Sequence, residues 1–321
     1  IGVYQDPLLI QWCDLSNFFE WEPRADTQAG NFRIPTGSRI VGAGATKNRG
    51  LFWTDLDLYA GIYIGQPFIY SHNKIGSNCG LIGKHAWGQF GDATYWMGKS
   101  NFFRYEGAGV QPVVCSVWDA VFQDINPTYA HKSVCGSNTD FTEVWFFYCS
   151  ITGGLTTPDK CAKYNIVENT WELVPIDRLA WIDRSVLGSP VAISAAGIIY
   201  AHETGADADG QPMLPRFRSS YFYVEDSQDF ITIDRMIPDF KWGLYDQDED
   251  AQISITLYSV ETPGEVPAVN GPYLVTRADK YITLDPPLRA KQIAVEMSSA
   301  DIGSFWRIGL TRFRWAPAGR A

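Results

Sequence analysis

Four histidines, six cysteines and several clusters of carboxylates are the side chains of this 321-residue sequence that could do chemistry. His72, His85, His131 and His202 stand singly, so neither HExxH nor HxH supplies a zinc site for hydrolysis. No GxSxG turn is present to activate a serine, and no CxxC pair to hold zinc or exchange disulfides. Gly42-Ala43-Gly44-Ala45 lacks the third glycine and the following helix that cradle a dinucleotide. The Asp box of sialidase-type propellers is missing. Carboxylates abound, yet a linear sequence does not reveal which two face each other at glycosidase separation.

The most metal-like segment is His202-Glu203 followed by Asp207, Asp209 and Gly210, where alternating Asp oxygens precede a glycine turn in a calcium-like way. The EF-hand spacing and its closing glutamate are absent, so the segment reads as a solvated turn. Asp246, Asp248, Glu249 and Asp250 form a second acidic cluster, expected at a solubilising hairpin tip. No catalytic, cofactor-binding or metal-ligating residue is therefore assigned. No cofactor is expected, and the chain is expected not to be an enzyme.

The elements that would position these residues are short strands. Hydrophobic residues make up 45%, charged residues 19% and aromatics 14%, punctuated by 29 Gly and 18 Pro. The net charge of −10 and a pI near 4.9 leave no basic footprint for tight nucleic-acid binding. The longest apolar runs, such as 144–149, are too short to span a bilayer. No secretory leader follows Ile1, and Cys13, Cys115 and Cys149 read as small buried hydrophobes in strands.

One repeat is visible. Trp12, Ser16, Asn17, Phe18 and Phe19 recur as Trp96, Ser100, Asn101, Phe102 and Phe103, and Trp53 stands midway. Residues 144–149 and 162–171 supply further strands, and 197–203 a worn copy. A period near forty with several strands per unit predicts β-propeller blades over 1–212 in an incomplete propeller. A short helix over 116–125, capped by Ser116 and with Val117, Val121 and Ile125 on one face, is expected between blades. Residues 213–321 lose the repeat. Alternation of Ile253, Ile255 and Leu257 with Ser254, Thr256 and Tyr258 suggests a β-sandwich there.

The segments Gln28 through Ser38, Trp53-Thr54-Asp55, Asn73-Lys74-Ile75-Gly76, Cys79-Gly80-Leu81-Ile82-Gly83 and Tyr95-Trp96-Met97 follow one another in a distinctive order. Trp181-Ile182-Asp183-Arg184-Ser185, His202-Glu203-Thr204-Gly205 and Gly303 through Gly309 continue it. Over nearly its whole length the chain resembles the tail-hub or nozzle proteins of tailed bacteriophages, chiefly the short-tailed ones. The resemblance implies a β-propeller subunit of a virion ring, commonly of six copies, made in the bacterial cytoplasm. It implies portal and adaptor neighbours, fibre, tailspike or plug proteins as partners, and passage of double-stranded DNA. Family members are usually longer before the equivalent of Trp12, so a fragment, a cleavage product or a short form is expected. An acidic lumen would suit this role, because each Lys or Arg contact to phosphate adds affinity and friction. A polysaccharide depolymerase and a glycan- or protein-binding propeller module are the alternatives.

Overall fold

A strand as apolar as Glu143–Tyr148 must be covered on both faces, because alternate side chains point to opposite sides of a sheet. Val144, Phe146 and Tyr148 join one buried cluster, while Trp145 and Phe147 join another with Cys161. The computed structural model, which describes residues 6–186, 188–223, 229–242 and 251–319, shows how this is met. The chain divides into two compact units, Ile1–Glu203 and Thr204–Ala321, ahead of the boundary expected at 212.

The first unit is a succession of small antiparallel sheets whose strands follow chain order. The first blade comprises Ile40–Ala45, Gly50–Thr54, Leu58–Gly65 and Ile69–Gly76. The second comprises Trp87–Phe90, Ala93–Met97, Phe102–Tyr105 and Val110–Val113. The third comprises Val134–Asn138, Glu143–Tyr148, Lys160–Asn165 and Thr170–Val174. A fourth sheet has three strands, Ala180–Ile182, Val191–Ile193 and Ile199–Ala201. Their first strands start at Ile40, Trp87, Val134 and Ala180, a spacing of 46 or 47 residues. These are β-propeller blades. Each packs on the next: Trp53 stacks on Trp87 at 5.3 Å, Phe102 meets Phe146 at 4.6 Å, and Trp145 meets Trp181 at 4.5 Å.

Trp53 and Trp96 occupy the second strands of adjacent blades, both fully buried, with ring centroids 5.7 Å apart. Trp12 differs. It ends Leu9–Trp12, which among the described residues pairs only with Gly30–Arg33, and its ring stacks on His72 of the first blade's last strand. The matched Phe18 and Phe19 are exposed in a loop, whereas Phe102 and Phe103 lie in a strand. The cause sits at one position. Gly98 closes a tight turn onto the Asn101 carbonyl, and a Cβ there would lie 2.6 Å from the Phe103 ring. Asp14 stands at the matching place, and its carboxylate instead accepts from Ser16 Oγ at 2.6 Å and the Gln28 N–H at 2.6 Å, closing a wide loop.

The helix between blades spans only Trp118–Phe122. Val117, not Ser116, is its N-cap, and no side chain caps it. It is held instead by burial of Val121 and by Trp118 Nε1 donating to the Ser100 carbonyl at 2.8 Å. Of the cysteines, all free, Cys79, Cys135, Cys149 and Cys161 are buried, while Cys13 and Cys115 are half-buried and just beyond strands.

In the second unit, Ile253–Val260 alternates as its sequence predicts, with Ile253, Ile255 and Leu257 fully buried. It belongs to a five-stranded sheet, and Ile231–Ile237 centres a three-stranded one. One hydrophobic core draws on both, from Ile233 and Leu284 to Leu257 and Val295. A pair of strands, Phe240–Trp242 and Trp306–Ile308, completes the unit's sheets among the described residues.

The two core indoles make a test. Trp96 Nε1 donates to the Cys79 carbonyl at 2.7 Å, whereas Trp53 Nε1 is buried without a partner. Trp96→Phe strands a buried carbonyl, while Trp53→Phe removes an unsatisfied donor. Trp96→Phe is expected to destabilise by about 1–2 kcal/mol more than Trp53→Phe in urea unfolding. Equal losses would show that ring volume alone matters.

Candidate functional site

In an up-and-down sheet, the starts of the first and third strands and the end of the second lie at one end. Arg39 immediately precedes the first blade, Ile82 and Gly83 precede the second, and His131 precedes the third. Lys99 lies in the turn between the second blade's second and third strands. This topology brings them together around a cavity of about 680 Å³. Ile82, Phe122, Ile125 and Pro127 give it an apolar wall, and Arg39, Lys99 and His131 a polar one. The segments approach closely because Gly83 has no side chain: a Cβ there would lie 2.5 Å from the His131 carbonyl oxygen. The helix between blades thus becomes one wall of the cavity through Phe122. Sequence reading missed Arg39, Lys99 and His131. The usable signal was their shared place at one end of successive sheets.

A second polar cluster lies between the third blade and the fourth sheet. Trp181 packs on the third blade, its Nε1 donating to the Ser137 carbonyl at 2.7 Å. Gly136 makes room for it, since a Cβ there would lie 2.3 Å from the indole. His202 packs 4.8 Å from Trp181, and its Nε2 accepts from Arg178 Nε at 2.9 Å. Burial first, and then the positive Arg178 and Lys163, push the His202 pKa down to about 4. Glu203 accepts from Asn138 Nδ2 at 3.0 Å. Loss of solvent around its carboxyl raises its pKa, Lys163 works against that, and Glu143 adds to it. Lys163 lies 4.6 Å over Trp145 and pairs with Glu172 at 3.0 Å and Glu143 at 3.7 Å. Every charge in this cluster has a protein partner, which gives it the character of a structural joint.

The metal-like segment is divided. His202 and Glu203 belong to the joint just described, whereas Asp207 accepts from the Gly210 N–H at 2.7 Å within a turn of the second unit. Among the described residues no group of three His, Cys, Asp or Glu side chains could hold a metal ion. Asp246, Asp248, Glu249 and Asp250 lie outside the described residues. Gly42 and Gly44 belong to a strand, where a Cβ on Gly44 would meet the Trp87 ring at 2.4 Å. No helix among the described residues is long and apolar enough to cross a membrane.

Besides the loop that carries Phe18 and Phe19, apolar side chains are uncovered at two of the first unit's sheets. The hairpin joining the first blade's last two strands exposes Tyr63, Ile64 and Phe68, the last at 74%. At the fourth sheet, Ile199 is 70% exposed on a strand whose outer edge is unpaired among the described residues.

No protein-family model and no curated protein matches this sequence. Solved structures do. An exo-β-1,3-galactanase from Phanerochaete chrysosporium matches at 9% identity with a TM-score of 0.25, covering 90% of this chain and 73% of its own. Xyloglucan PUL GH43B of Bacteroides ovatus matches at 11% identity and a TM-score of 0.20, with the same coverage. The expectation that the chain is not an enzyme is corrected on this ground, since a matched structure is a glycan-cleaving enzyme. The missing motifs never excluded one, because carboxylates drawn from separate blades leave no local spacing to read. At these TM-scores the superpositions assign no activity to this chain.

The joint predicts a pH effect. The folded His202 pKa lies below its unfolded value of 6.5, so the unfolded chain binds more protons between pH 6.5 and about 4. The His202 contribution is complete above pH 6.5 and is lost as pH falls toward 4. Glu203 acts oppositely, because its raised pKa favours the folded state less as pH rises above 4.5. Thermal melts of His202→Asn should therefore fall less steeply than wild type between pH 6.5 and 4. Parallel curves would show that protonation of His202 is not what the joint resists.

Proposed function

We propose that this chain is a ring-forming subunit of a bacteriophage tail, with further copies covering two of its exposed apolar surfaces. The observation that carries the reading is the placement of those surfaces, on the first blade's hairpin around Phe68 and on the fourth sheet's edge at Ile199. Large exposed apolar side chains grouped in this way suit an interface, and an unpaired strand edge is a template for another chain. Because the two surfaces are different, a contact between them is head-to-tail, and such contacts form a ring where the rotation between neighbours closes. The sequence resemblance to tail-hub and nozzle proteins supplies the setting. Portal and adaptor proteins, fibres or tailspikes would be the neighbours, the virion tail the location, and double-stranded DNA the cargo passing through. The net charge of −10 suits a wall that does not grip phosphate.

The second reading is a propeller that binds or cleaves a glycan. The specific observation in its favour is the cavity of about 680 Å³ at the loop end of the blades, a size suited to one or two sugar units. Release of reducing ends from host capsule or lipopolysaccharide would support cleavage.

The two are separated by mass and place. Native mass spectrometry should show a closed oligomer, and Phe68→Asp or Ile199→Asp should each reduce it to monomer while leaving the thermal melt in place. Antibody against the chain should decorate the tails of virions. A monomer at every concentration, unaltered by either substitution, together with label only on fibres, would overturn the ring.

A further inference from the structure

The loop-end cavity carries charge of one sign in a chain of the other. The whole sequence is at −10, yet the ionisable side chains lining the cavity are Arg39, Lys99 and His131, and no carboxylate is among the lining residues. The acid that meets the Arg39 backbone is already engaged. Asp55 accepts from the Ser38 N–H at 2.7 Å, Ser38 Oγ at 2.8 Å and the Arg39 backbone N–H at 3.4 Å. Its carboxylate therefore binds backbone and hydroxyl, not the Arg39 guanidinium. No ion pair among the described residues engages Arg39 or Lys99, in contrast to Lys74, Arg104 and Lys160 nearby in the same unit.

The opposite wall is apolar. Phe122 is half-exposed and offers a ring, flanked by Ile82 and Ile125. An inorganic anion would satisfy the cations and leave this wall in water. A neutral sugar would stack on the wall and leave the cations without an anion. A ligand that uses both has a flat, partly apolar ring and a negative group at its edge.

We propose that the cavity binds an acidic sugar unit of a polysaccharide, its carboxylate or sulfate held by Arg39 and Lys99 and its ring against Phe122. This rests on the glycan reading above and deepens it by naming the class of sugar. Arg39 suits the planar, two-point contact that a carboxylate invites, and Lys99 adds a movable point charge. The volume of about 680 Å³ admits one or two pyranose units, so neighbouring units of a polymer would run out over the blade loops.

The test is calorimetric titration with tetra-galacturonate and with the same tetramer after reduction of its carboxyl groups to alcohols. The pair differs only at C6, where a planar, charged carboxylate becomes a neutral alcohol. The acid is expected to bind at least about tenfold more tightly than the reduced form, as charge-assisted hydrogen bonds imply, and to weaken as salt is raised. Lys99→Gln and Arg39→Gln should each weaken the acid about tenfold and leave the reduced tetramer unchanged. If Arg39→Gln melts early, Lys99→Gln, in an exposed turn, carries the comparison. Equal binding of the two tetramers would overturn the acidic preference and leave the glycan reading standing. Binding of neither would overturn both. Inorganic phosphate bound as tightly as the acid tetramer would make this a simple anion site and also overturn the proposal.

Discussion

The fold depends on indole rings pressed onto sheets that have been cleared to receive them. A blade has two faces and no shell of helices, so only the next blade can keep its aromatic residues dry. Close stacking requires a gap in the facing surface, and glycine provides it. A Cβ on Gly44 would lie 2.4 Å from the Trp87 ring, and one on Gly136 would lie 2.3 Å from Trp181. A fully buried indole such as Trp53 or Trp96 removes roughly 150–250 Å² from water, worth about 4–6 kcal/mol at 25 cal/mol/Å² as an upper bound. That separation between sheets sets how far apart the blade loops stand. The cavity at their ends, with Gly83 against the His131 backbone, is a consequence of the same spacing.

Polar groups in the first unit divide by whether the protein already uses them. Lys163 is held by Glu143, Glu172 and the face of Trp145, and Arg178 by Asp177, His202 and Tyr200. These cations keep two packed faces in register and have little left to offer a ligand. Arg39 and Lys99 have no such partners among the described residues, and they meet at a concavity with an aromatic at its side. Unspent charge beside an apolar wall marks a place with something left to offer a ligand, whereas the density of acidic residues along the chain drew attention to His202, Glu203, Asp207 and Asp209.

The strands were legible because their chemistry is local. Aromatic and β-branched runs between Gly and Asn turns mark the second strands at Trp53, Trp96 and 144–149, and period-two alternation marks Ile253, Ile255 and Leu257. The match at Trp12 misled beyond its own strand, because exchanging Gly98 for Asp14 turns a tight connection into a wide loop without disturbing the shared Ser-Asn-Phe-Phe letters. Ser116 failed as a cap for a related reason: the helix is anchored by Val121 and Trp118, contacts that lie outside its own sequence. The cavity residues were illegible. Positions 39, 82, 99, 122 and 131 share no motif and meet only through blade topology.

The buried cysteines have a further consequence. Burial pushes the Cys79 thiol up to about 12 and that of Cys149 to about 11, and holds Cys135 and Cys161 far above the usual thiol range. Since the thiolate is the nucleophile, these side chains are silent toward alkylating reagents while the sheets stay closed. Three of them mark different joints. Cys79 lies against Gly76 and Val110 near the seam of the first two blades, Cys135 faces Gly88 across the next, and Cys161 sits in the cluster with Trp181. The chain therefore carries its own set of seam-resolved labels, and the order in which they become modifiable would record the order in which the blades come apart.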